Sequence, residues 1–295
     1  MTHAHAHAPA HASAHAPHHP AHDSHGEAEI LDLDAQVLAE HLTALTGWLP
    51  VQAPPRRIVD LGCGTGAGTF ALLDRFPEAH LTAVDTSAPH LQRLREKACA
   101  RGAEGRVRTV QADLDAADWP DLGAPDLVWA SASMHHMADP DQALRTVHDL
   151  LAPGGLFVVV ELSGFPRFLP AAAPEERPGL EERCHAASDR FHAEHVPHRG
   201  ADWGPKLTGA GFTVEDERVI TVDLGKTDAS RREAVGAYAL GSLRRLRHSV
   251  AEALAPEDLA ALDRLLDTEG PGSLLHRDDL TVRTERTVWA ARRTG

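Results

Sequence analysis

Between residues 56 and 162, short apolar runs alternate with helix-patterned segments, and this alternation narrows the possible folds more than any other feature. RRIVDL (56–61), HLTAVD (80–85), RVRTVQAD (106–113), APDLVWAS (124–131) and LFVVVEL (156–162) read as short strands. GTFALLDRF (68–76) is a helix stopped by Pro77, and APHLQRLREKACARG (88–102) is a helix ended at Gly102. DPDQALRTVHDLL (139–151) is a third, with Asp139 as its cap and Pro140 at its first position. Strands in this rhythm imply a parallel sheet covered on both faces by helices. Upstream, ILDLDAQVLAEHLTALTGWL has an apolar face at helical spacing and ends at Pro50, Pro54 and Pro55. After Leu162 the rhythm breaks. Residues 163–179 are rich in Pro and Ala, 203–224 resume helix, turn and strand, and 229–270 read as two helices joined near Pro256. DLTVRTERTVWAARR (279–293) alternates as a strand exposed on one side does, and is expected to pair with 212–224.

The first strand runs directly into VDLGCGTGAG (59–68), so a glycine loop sits at a strand's carboxyl end and opens a helix. Parallel α/β sheets bind ligands there, where strand order reverses. Glycine lets a flat nucleoside meet the backbone. Asp85 ends the second strand, where an acid can accept both ribose hydroxyls. Two ligands fit so far. Gly62-x-Gly64-x-x-Ala67 suits a dinucleotide, and Asp60-x-Gly62-x-Gly64-x-Gly66 suits an adenosyl ligand. Four further features weigh for the second. Asp60, before the loop, repels a pyrophosphate but suits the amino group and sulfonium of S-adenosylmethionine. Asp113-Leu114 ends the third strand, where a carboxylate can accept from an adenine amino group and a leucine can pack on the ring. APDLVWASASMHHMADP ends the fourth strand in small and polar residues. LAPGG precedes the fifth strand, and AGF (210–212) opens a strand that a late alternating strand can flank.

This ordered set resembles the class I S-adenosylmethionine-dependent methyltransferases that act on small molecules. The resemblance covers about 30–224 and 279–293. It implies an α/β, Rossmann-like, seven-stranded, mostly parallel sheet with an antiparallel last strand. It also implies cofactor contacts from Asp60, Gly62, Gly64, Gly66, Asp85, Asp113 and Leu114, and from backbone near Ala130; Cys63 inside the loop and Thr86 after Asp85 complete the candidate set. The domain core is then about 50–162, 203–224 and 279–293. Segments at about 163–200 and 229–270 form a helical lid insertion, where the resemblance thins and the acceptor cannot be carried over.

Methyl transfer from a sulfonium is an in-line displacement that chiefly needs alignment. A hydroxyl or protonated amine acceptor also needs a base. His135 and His136, just past the fourth strand, are the candidates, their near-neutral titration suiting the task; packing of the following helix is the alternative. Other clusters have plainer readings. His192, His195 and His198 have helical spacing broken by Pro197, so no metal site is expected. Phe165, Phe168 and Phe191 are lid or packing residues. Arg231, Arg232, Arg244, Arg245 and Arg247 flank a helix with Tyr238, either to hold an acidic acceptor or as a solvated face.

The chain has 295 residues and a formal charge of −14, which disfavours nucleic acid as partner. Cys63, Cys99 and Cys184 are too few and scattered for a disulfide framework or a cysteine zinc site. No apolar run is long enough to span a membrane, and a cytoplasmic protein is expected. Residues 1–29, with nine of the 21 histidines set among Ala and Pro, form a tail expected to be disordered and able to bind metal weakly. The domain proper is expected over 30–295. The competing functions are an NAD-dependent oxidoreductase and a non-catalytic metal-binding or regulatory protein on the same fold.

Overall fold

The computed structural model describes residues 24–225 and 230–294. Most of the histidine-rich tail, and with it the metal-binding expectation, lies outside the described residues. The elements are α1 (Ser24–Val37), α2 (Ala39–Trp48), β1 (Arg57–Leu61), α3 (Ala67–Arg75), β2 (His80–Asp85), α4 (Ala88–Ala100), β3 (Val107–Gln111) and β4 (Leu127–Ser131). They continue with α5 (Pro140–Leu150), β5 (Leu156–Leu162), α6 (Leu180–His195), α7 (Trp203–Gly209), β6 (Phe212–Asp223), α8 (Arg232–Ser249), α9 (Pro256–Leu266) and β7 (Arg283–Arg293).

The seven strands form one sheet in the order β3-β2-β1-β4-β5-β7-β6. β1 to β5 pair in parallel, and β7 is antiparallel to both β5 and β6. The chain winds outward from β1 in one direction and from β4 in the other. The crevice between their carboxyl ends is therefore the topological switch point. The late strand pairs with 212–223 as expected, but it is not exposed on one side. Val288 to Ala291 are buried in succession because β7 lies inside the sheet; alternation with exposed positions belongs instead to the edge strand β6.

Side chains alternate between the sheet's faces. Ile58, Leu81 and Trp129 pack under Leu45, Leu72 and Leu91 of α2, α3 and α4. Val59, Val84 and Phe157 pack under Leu144 of α5 and Leu207 of α7. A third core joins 163–200 and 229–270, holding Phe168, Leu180, Val235, Leu243 and Leu262. It explains one departure from expectation. The helix expected over 30–49 breaks at Leu38, because Val37 and Leu38 serve the third core while Leu45 and Leu49 serve the sheet. Residues 24–29, read with the tail, are the first turns of α1, and Ala28 is buried. In the same helical layer Asp258 of α9 holds Arg177 at 2.6 Å and Arg183 at 2.8 Å. The hydrogen bond from Arg183, with Arg177 beside it, brings Asp258 down to about 2. No helix among the described residues is long and apolar enough to cross a membrane.

Candidate active site

The glycine loop is built into the protein's own packing. Gly62 has φ +67°, and a Cβ there would lie 2.4 Å from the Ser133 Cβ. Ser133 in turn donates from Oγ to the Leu61 carbonyl at 2.9 Å, locking the ends of β1 and β4 together. Gly64 donates its N–H to Asp85 Oδ2 at 2.8 Å, and a Cβ on it would stand 3.1 Å from Leu31 of α1. Gly66 caps α3. The loop glycines thus answer to neighbouring side chains as well as to any ligand. Cys63 is buried, and burial first, with Asp60 and Asp85 nearby, pushes its thiol far above the ordinary range, which leaves it inert as a nucleophile.

Asp85 receives N–H groups from Gly64 and Ser87. Burial alone would raise it, but His90 and these two backbone donors hold it below its usual value. Oδ2 takes only the Gly64 N–H and keeps a lone pair for a ligand hydroxyl, while Oδ1 takes the Ser87 N–H and faces His90 Nδ1 at 3.7 Å. Thr86 beside it is exposed, its carbonyl accepting from Gln111 at 3.0 Å. Asp60 differs from the sequence reading. It lies beneath α3, accepting from Thr69 Oγ1 at 2.6 Å, and burial raises it to about 7. At neutral pH it carries only part of the negative charge that was to repel a pyrophosphate. Asp113 is exposed and accepts from the Asp115 N–H at 2.9 Å, a turn contact that leaves its other oxygen available. Leu114 is buried, and Ala130 is fully buried in β4.

β4 ends in a strained turn. Ala132 has φ +52°, a conformation that costs a non-glycine residue about 1 kcal/mol or more. The turn sends Met134 into the core and brings His135 to Glu161 at the end of β5. His135 Nδ1 lies 2.5 Å from Glu161 Oε2, and the His135 N–H donates to Oε1 at 3.2 Å. Both side chains are at most 7% exposed. With Nδ1 turned to the carboxylate, Nε2 is the ring nitrogen left to accept a proton. His136 is exposed, its ring centroid 4.1 Å from that of His135. Glu161 was missed in the sequence because it closes an otherwise apolar strand. The available signal was its isolation: a lone acid in a buried strand must have a partner.

The remaining candidates scatter. Phe168 is buried against Tyr238, whereas Phe191 is exposed and stacks on His195. α6 ends at His195, and His192 and His195 each bond a carbonyl of their own helix. Among the described residues no three His, Cys, Asp or Glu side chains gather as a metal site. Arg231, Arg245 and Arg247 pair with Glu40, Glu27 and Asp263. Tyr238 is buried and donates to Asp34 at 2.6 Å.

Residues 59–157, which hold the glycine loop, the strand-end acids and His135, match the methyltransferase domain family. A trans-aconitate 2-methyltransferase of Acidovorax sp. (strain JS42) is 43% identical over 105 residues, covering 36% of this chain and 38% of that protein. A malonyl-[acyl-carrier protein] O-methyltransferase of Halorhodospira halophila (strain DSM 244 / SL1) is 32% identical over 191 residues, covering 62% of this chain and 61% of that protein. The chain thus spans less than two thirds of either relative's length. Among solved structures, the YcgJ protein of Bacillus subtilis superposes with a TM-score of 0.51 at 16% identity, covering 87% of this chain and 99% of that one, a likeness of fold. The family match favours the adenosyl reading of the loop over the dinucleotide reading.

Proposed function

We propose, for a chain whose residues 59–157 form a class I methyltransferase domain, that it transfers a methyl group from S-adenosylmethionine to a small-molecule acceptor, with His135 as general base. When bound, the cofactor supplies a methyl group already activated by a positive sulfur. Asp85 accepts the ribose hydroxyls, Gly62, Cys63, Gly64 and Gly66 present backbone, Thr86 flanks the ribose, and Asp113, Leu114 and the backbone at Ala130 border the adenine side. Asp60 acts from beneath the loop by holding Thr69. His135 takes the acceptor's proton on Nε2, and Glu161 stabilises the imidazolium that results. A small acceptor accords with the relative named for trans-aconitate. Buried thiols at Cys63 and Cys184 accord with a reducing cytoplasm.

The observation that carries this reading is the buried His135–Glu161 pair on adjacent strand ends beside the glycine loop. Labelled S-adenosylmethionine and an acceptor panel that includes trans-aconitate test it. His135→Asn should lower turnover by about 10²–10⁴-fold, the usual worth of a general base, while cofactor affinity holds. Unchanged turnover in both His135→Asn and His136→Asn would remove the base from the mechanism.

A further inference from the structure

Arg199 lies in the turn that follows α6, its N–H donating to the Val196 carbonyl at 3.1 Å. Its guanidinium rests on the Phe165 ring at 3.6 Å. Nη1 and Nη2 are both buried and have no hydrogen-bond partner among the described residues. A guanidinium is permanently charged and carries five donors, so leaving its fork unpaired in a shielded place is costly. Arg245, which acts on the same guanidinium, is itself satisfied by Glu27.

The charges that act on Arg199 through space are Asp189, Arg245 and Glu161. Neither acid hydrogen-bonds to it. Asp189 is exposed on α6, and Glu161 engages His135 with both oxygens. The Phe165 ring has His192 at 5.2 Å, and His192 turns its Nδ1 to the Ser188 carbonyl. An uncommitted cation on an aromatic wall therefore stands within electrostatic reach of the partner of His135.

We propose that Arg199 anchors a carboxylate carried by the methyl acceptor, gripped by Nη1 and Nη2, while a different group of the acceptor faces His135. This rests on the methyl-transfer reading. A planar carboxylate matches the guanidinium fork in two parallel hydrogen bonds. A phosphate dianion would bring a second charge against the apolar wall and towards Glu161.

Calorimetry on the full chain separates this anchor from the methyl-transfer reading. The probes are salicylate, mandelate and malate, each against its neutral amide, with S-adenosylhomocysteine present. At least one acid should bind the wild type more tightly than its amide. Arg199→Gln should weaken that acid by about 10- to 100-fold, the worth of hydrogen bonds to a charged group, leaving the amide and S-adenosylmethionine unaffected. Arg199→Lys should retain part of the acid preference. Failure of every acid to bind, equal binding of acids and amides by the wild type, or an acid preference surviving in Arg199→Gln would each overturn the anchor. So would a loss of S-adenosylmethionine affinity in Arg199→Gln equal to its loss of acid. If the acid preference behaves as expected while no labelled methyl reaches any acceptor, the carboxylate site stands and methyl transfer fails.

Discussion

Ser133 and His135 stand two residues apart and serve opposite ends of the site. Ser133 fills the space that Gly62 leaves open, and His135 reaches Glu161. Gly62→Ala should therefore lower stability by about 1–3 kcal/mol, the range for overpacking, even with no ligand present. Denaturant titration of the apo protein checks this; a variant as stable as wild type that binds cofactor poorly would return the glycine to a purely ligand-facing role. Ala132→Gly should relieve the left-handed strain and gain up to about 1 kcal/mol, read by the same titration. At this scale the sequence disclosed groups that stand at strand ends, such as Asp85 and His135, because the α/β rhythm fixes where those ends are. It hid Glu161, whose neighbours are all apolar, and Arg199, which lies in a segment without periodicity. Neither residue's role follows from spacing, since each depends on a contact between distant parts of the chain.

α1 is the element that ties the layers together. Leu31 rests on Gly64, and Asp32 pairs with Arg93 and Lys97 of α4, while Lys97 also donates to the Thr65 carbonyl at 3.0 Å. Asp34 takes both Tyr238 of α8 and Arg286 of β7, the latter at 2.9 Å. Asp34→Ala should cost about 1.5–3 kcal/mol, as for hydrogen bonds to a charged group, with the melting temperature as readout. None of this was legible in the sequence, where α1 and α2 read as one amphipathic helix; the break at Leu38 appears only once two separate cores compete for its two halves. α4 makes a pH prediction. The Asp85 carboxylate, 3.7 Å from His90 Nδ1, raises His90 above its ordinary 6.5, with Glu27 and Asp32 adding to the effect. A raised histidine stabilises fully below 6.5 and loses that contribution as pH climbs through its folded value. Asp85, held low, acts oppositely and loses its contribution only in acid. Above 6.5 the wild type should thus lose up to about 1 kcal/mol that His90→Gln does not, visible as a steeper fall of its melting temperature with pH.

Across the whole molecule, three cores meet around one switch point, and the glycine loop touches two layers at once. The sheet core supports it through Phe70 and Leu94, while the helical core reaches it through α1, which packs along α8. Cofactor bound at the loop would therefore stabilise the helical layer as well as the sheet, because opening α1 would uncover the site. Binding to the folded state alone adds about 2.7 kcal/mol at a ligand concentration one hundred times Kd. For a chain of this size that raises the melting temperature by about 4–5 °C. NAD at the same concentration should leave it unchanged if the adenosyl reading holds. Hydrogen exchange localises the coupling. S-adenosylmethionine should slow exchange in residues 30–37 of α1 together with 62–68 of the loop. Asp32→Ala, which removes the pairing to Arg93 and Lys97, should keep the slowing at the loop but weaken it in α1. Slowing confined to the loop in the wild type would mean that α1 covers the site without responding to its occupancy, and the two layers would then be coupled through the sheet alone.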